Sequence, residues 1–165
     1  MIDLWREEEG IGGMDSFSVA WAGFVAVVLA AAVFWVFRSL GYTLFSPSVL
    51  LGCFFLRNPL HPATDTLGFG LLILLGSTVV PVAYLAAFRL FQSPSALAGL
   101  AVGSVHGIVA AAALPLVGTI TACVRAGSWP TPGPFGIRWG RLTPAALVAG
   151  HAAYGLLFGA IVANF

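Results

Sequence analysis

The sequence predicts an all-α, polytopic membrane protein with four transmembrane helices and one short interfacial helix after the first span. Three observations carry that prediction. From Ser16 to Phe165 the chain holds a single carboxylate, Asp65, and no lysine. Apolar residues make up 59% of the whole and charged residues only 8%, too little charge to cover a water-soluble fold. Four uncharged runs also reach the roughly 20 residues that a helix rising about 1.5 Å per residue needs to cross hydrocarbon.

Charge divides the chain in two. Residues 1–15 hold Asp3, Glu7, Glu8, Glu9 and Asp15 against Arg6, a net −4, whereas residues 16–165 hold six arginines against Asp65, a net +5. The first fifteen residues therefore read as an acidic, solvated tail, with a docking tail for a basic partner as the alternative and Met14 as an alternative start. Residues 16–165 form one four-helix transmembrane domain.

Phe17 to Phe37 is the first span, with Trp21 and Trp35 near its ends, where amphipathic rings favour the headgroup level. Ser46–Leu56 is apolar but short and broken by Pro47 and Gly52. It reads as a helix along the membrane surface, capped by Ser46. Leu67 to Phe88 is the second span, with Thr64 and Asp65 as N-cap candidates and Pro81 as a kink. Ser95 to Val117 is the third, bent near Pro115. Thr143 to Ala163 is the fourth, with Thr143 as N-cap and Pro144 at the first helical position. Between the last two spans, Trp129, Trp139 and three prolines suit a structured cap at the interface.

Arginine counting sets the expected topology. Arg38, Arg57, Arg125, Arg138 and Arg141 share one side of the four-span scheme, and Arg6 and Arg89 share the other. The positive-inside rule places the five in the cytoplasm and both termini outside it. The expected location is therefore a cytoplasmic membrane. Cys53 and Cys123 lack any CxxC or Cys/His spacing; they read as small buried hydrophobes, with a disulfide possible.

The third and fourth spans carry mirrored patterns. Gly99, Gly103 and His106 share one helical face, with Gly107 beside them; His151, Gly155 and Gly159 share another, with Tyr154 adjacent. Small residues at four-residue spacing let helix backbones touch in lipid. The two helices run antiparallel, so His106 and His151 fall within about one helical turn of the same depth. A tight pair with facing histidines is expected. An ionisable residue inside a span is a functional candidate by default. The bland expectation is a structural hydrogen bond, from one imidazole to the other, to Tyr154 or to Ser104. Bis-histidine haem ligation, and a metal or proton or ion site that could include His61, are the alternatives. Glycine faces draw the axes toward the short end of the usual 8–10 Å range, which leaves no room for a haem between these helices.

Absent motifs narrow the function. There is no HExxH, GxSxG, P-loop or carboxylate dyad, and no carboxylate lies inside a span as in proton-coupled transporters. Nor does a basic, aromatic-interleaved surface point to nucleic acid. The chain is expected to be non-enzymatic, embedded in lipid, and an accessory or structural subunit packing with other membrane subunits of a respiratory or photosynthetic complex. Haem, metal, proton or ion handling at His106 and His151 is the second expectation, and a small transporter the third.

Gly99 through Pro115 and Gly150-His151-Ala152-Ala153-Tyr154-Gly155 through Gly159 resemble stretches of a set of small four-helix bacterial membrane proteins of unknown function. The resemblance covers Leu67 to Ala163; the acidic tail departs from it. It implies a four-helix fold with a proline-bearing surface segment after the first helix, and bacterial origin. It implies no activity.

Overall fold

Lipid offers no hydrogen bonds, so a spanning chain must satisfy its backbone internally, and helices do so. The structure, a computed structural model, describes residues 15–91 and 93–165. It is all-helical, with four helices long and apolar enough to cross a membrane. Of the acidic tail, residues 1–14 lie outside the described residues. Asp15 belongs to the helix that follows: its carboxylate accepts from the Ser18 N–H at 2.7 Å and from Ser18 Oγ at 3.2 Å. These bonds hold its pKa below the usual carboxylate value.

Helix α1 spans Ser16–Ser39. Helix α2 is short, Pro47–Gly52, and starts as expected at Ser46, whose hydroxyl accepts from the Val49 N–H at 3.5 Å. It does not lie flat. A Cβ on Gly52 would meet Thr64 and one on Gly68 would meet Ser48, so α2 stands antiparallel to the first turns of the second span. That span comprises α3, Pro62–Ser77, and α4, Val79–Phe88, followed by a 3₁₀ turn at Arg89–Phe91. The two parts meet at Thr78, which leaves helical geometry at φ −123°, ψ −64°. Pro81 is the physical cause: it has no N–H to return to the Ser77 carbonyl four residues back. Helix α5, Ala96–Ile120, is capped by Ser95 and runs uninterrupted through Pro115. Helix α6, Ala122–Arg125, and a 3₁₀ segment, Pro134–Trp139, precede α7, Thr143–Val162.

Three expected caps change hands. His61, not Thr64 or Asp65, caps α3, its Nδ1 accepting from the Ala63 N–H at 3.2 Å. Asp65 sits in the first turn and accepts from Ser48 Oγ at 2.5 Å. Thr143 does not cap α7: Leu142 holds the cap position, and Thr143 Oγ1 instead bonds Thr43 Oγ1 at 2.6 Å. Both threonines are buried; the Thr143 hydroxyl is satisfied by Thr43, whose Oγ1 also accepts from the Phe45 N–H at 3.0 Å.

The most extensive seam joins α5 and α7. A Cβ on Gly99 would run into the Gly155 carbonyl, and one on Gly155 into the Gly99 carbonyl. Gly103 faces the His151 carbonyl, Gly107 faces Leu147 and Val148, and Gly159 faces the Ser95 carbonyl. Helix α1 lies against α7, where Gly150 receives the Phe34 ring, and against the second span, where Gly23 meets Gly76 and Pro81. Among the described residues, α3 and α5 form no packed pair, so the bundle is parted between them.

The loops between α1 and α3 and between α5 and α7 form a cap at one end. Cys53 and Cys123, both fully buried, are joined by a disulfide across 70 positions of sequence. Trp129 and Trp139 are not interface anchors: they are 8% and 1% exposed and stack inside the cap with centroids 4.2 Å apart. Trp139 Nε1 donates to the Pro130 carbonyl at 2.7 Å, which meets the polar demand of a buried indole. Trp21 and Trp35 remain exposed on α1, and Arg38, Arg57, Arg125, Arg138 and Arg141 are exposed at the capped end.

Backbone seams do not yield as side chains do, so Gly99→Ala should lower stability by about 1–3 kcal/mol, the cost of overpacking a close contact. Gly70→Ala is the control, since a Cβ there meets nothing within 4 Å. Thermal denaturation in mild detergent checks both: the first variant melts lower, and the second melts at or above the native temperature.

Candidate functional site

The glycine seam fixes where the imidazoles fall. With α5 and α7 in backbone contact, His106 and His151 flank the seam at one level, and their ring centroids are 4.4 Å apart at an interplanar angle of 64°. The rings touch edge to face. They share no hydrogen bond, contrary to the expected imidazole–imidazole bond. His106 Nδ1 pairs with Tyr84 Oη of α4 at 3.1 Å, and His151 Nδ1 bonds the Leu147 carbonyl at 2.7 Å. Neither of the other expected partners bonds a histidine. Tyr154 Oη donates to the Gly76 carbonyl at 2.7 Å, beside the break at Thr78, and Ser104 Oγ donates to the Leu100 carbonyl.

These bonds assign protons. A carbonyl only accepts, so His151 Nδ1 carries the hydrogen, and in the neutral ring its Nε2 is an acceptor. The Tyr84–His106 bond works in either direction. No second ring nitrogen finds a partner among the described residues, and neither is sealed: the one buried side-chain polar atom without a partner is Ser77 Oγ.

Both histidines line a cavity of about 290 Å³. Val27, Ala30 and Phe34 form its α1 wall, Leu72 and Leu75 its α3 wall, and Ala110 and Leu114 its α5 wall; Pro47 and Leu50 of α2 close the capped end. The cavity occupies the space where α3 and α5 part. Apart from the imidazoles and Tyr154, its lining is apolar. Such a chamber suits an apolar body with one hydrogen-bonding group.

The histidines do not fit a haem held between them, because rings in direct contact leave no space for a macrocycle. No group of three or more metal-binding side chains occurs among the described residues. His61, which sequence placed as a possible third member, is occupied as the α3 cap. The sequence reading missed Tyr84: nothing local relates position 84 to position 106, and the break that turns α4 toward the seam arises from Pro81 and three-dimensional packing.

In comparisons with known proteins, no family model, no curated protein and no solved structure matches this chain.

Tyr84→Phe should release His106 but not His151. In ¹⁵N spectra of labelled protein, His106 Nδ1 is expected to shift while His151, held by Leu147, stays in place. Equal shifts at both would show that the rings respond as one unit.

Proposed function

We propose that this chain is a non-enzymatic integral membrane protein that binds a small apolar molecule carrying one hydroxyl-type donor, with His151 Nε2 as the acceptor. One observation carries the reading: an apolar cavity between the spans reaches two imidazoles whose second nitrogens are free of protein partners. Its volume, near the lower end of about 300–1,000 Å³ for ligand sites, accommodates a ring or the end of a chain rather than a whole lipid. An accessory role in a larger complex rests only on outward apolar faces, which lipid satisfies equally well, so the cavity favours the binding reading. The resemblance of the glycine–histidine stretches supports bacterial origin, and with it an inner membrane as the location.

A matched pair of ligands tests the binding reading. Dodecanol should stabilise the purified protein in detergent more than dodecyl methyl ether, with about fivefold tighter binding, the equivalent of one hydrogen bond of about 1 kcal/mol. His151→Phe should erase the difference. Equal binding of alcohol and ether by the native protein would refute the assignment.

We further infer that the capped end faces the oxidising side of the membrane and that both termini are cytoplasmic. Arginine counting points the other way, five against two. A buried disulfide nevertheless outweighs it, because such bonds are rare in reducing cytosol, and a margin of three arginines is small. A membrane-impermeant maleimide applied to intact cells, against single cysteines placed at Ser128 and at Asn164, reads the sides. Labelling at 128 and not at 164 is expected, and the reverse pattern restores the arginine rule.

A further inference from the structure

A second cavity, of about 430 Å³, opens beside the first between α1 and α3. Its position follows from the packing. The two helices touch at Gly23 and Gly76, and the second cavity lies on the capped side of that contact. Ser46 and Ser48 at the start of α2 occupy its inner edge.

Its lining has a polarity gradient. At the capped end stand Arg38, in the last turn of α1, and Asp65, in the first turn of α3, with Ser46 and Ser48 between the helices. Toward the membrane interior the walls become Trp35, Phe69 and Leu72. No ion pair joins Arg38 to Asp65 among the described residues. The carboxylate takes one hydrogen bond, from Ser48 Oγ at 2.5 Å, which Ser46 Oγ in turn contacts at 2.8 Å. Asp65 is also the only carboxylate after residue 15. In a stretch otherwise stripped of acids, from residue 16 onward, this one is set at the membrane boundary with a cation in the same groove and apolar walls beneath.

We propose that this groove binds a phospholipid whose headgroup carries both a phosphate and a primary ammonium. The phosphate meets the Arg38 guanidinium, which offers several donors in a planar fork. The ammonium donates to Asp65, and an acyl chain lies along Trp35, Phe69 and Leu72. Charge complementarity selects this occupant. An anionic lipid without an amine offers Asp65 no cationic partner, and a trimethylammonium headgroup has no N–H to donate. The groove is separate from the histidine cavity in its polar residues, so occupancy of one does not require the other.

Native mass spectrometry of the full chain tests the assignment after delipidation and exposure to an equimolar mixture of phosphatidylethanolamine, phosphatidylcholine and phosphatidylglycerol. The ethanolamine lipid should be retained about tenfold over the choline lipid, in line with one hydrogen bond between charged groups. Retention should fall stepwise along the N-methyl and N,N-dimethyl series, a readout that needs no variant. Asp65→Asn should bring ethanolamine and choline lipids to parity, and Arg38→Gln should weaken retention of all three. Soluble phosphoethanolamine should fail to displace the bound lipid. Equal retention of the ethanolamine and choline lipids by the native protein, equal retention of phosphatidylglycerol, displacement by the soluble headgroup, or an unchanged preference in Asp65→Asn would each overturn the proposal.

Discussion

Contact between two bare backbones organises this protein. Within lipid there is no hydrophobic gain in bringing helices together, so association rests on close packing and on hydrogen bonds that lipid cannot supply. Gly99, Gly103 and Gly107 on α5 meet the backbone of α7 from Leu147 to Gly159 with no side chain between them. That seam sets the register of the two helices, and the register places His106 beside His151. Neither histidine holds the other by a hydrogen bond. They are neighbours because the glycines leave no alternative.

The remaining helices are arranged by the same rule and by one exception to it. Gly150 admits the Phe34 ring, and Gly23 meets Gly76, so α1 joins α7 to the second span through further small-residue contacts. The exception is the break at Thr78. It turns α4 so that Tyr84 reaches His106, and it leaves the Gly76 carbonyl in reach of Tyr154 from α7. A helix interruption inside a membrane is tolerated where neighbouring helices satisfy the freed groups. Here Tyr154 bonds the Gly76 carbonyl beside the break, and the second span is tied to α7 on one side of a gap that stays open between α3 and α5.

The capped end follows different physics. Its backbone is irregular, with Phe135 at φ 50° and Gly136 at φ 78°, and it is held by contacts distant in sequence. The Cys53–Cys123 disulfide, the Thr43–Thr143 hydroxyl pair and the Trp129–Trp139 stack each join the loop after α1 or close the loop before α7. Together they tie the cap at this end of the bundle. The chain thus has a lipid-solvated half ordered by backbone contact and a capped half ordered by cross-links and buried aromatic rings.

The sequence by itself determined the class, the four spans, the Pro81 interruption and the level match of His106 and His151. All of these depend on run length, on residue chemistry at one position, or on helical periodicity. Tertiary structure alone decided the partners. Tyr84 rather than Tyr154 meets a histidine, His61 takes the cap expected of Asp65, and Ser48 claims the carboxylate instead. Trp129 and Trp139, read as part of a cap at the interface, are buried against each other, and the Trp139 indole N–H finds a carbonyl nine residues away in sequence. Periodicity reports which face of a helix a residue occupies. It carries no information on which distant residue lies opposite, because that depends on helix crossings and loop paths that only the folded chain defines.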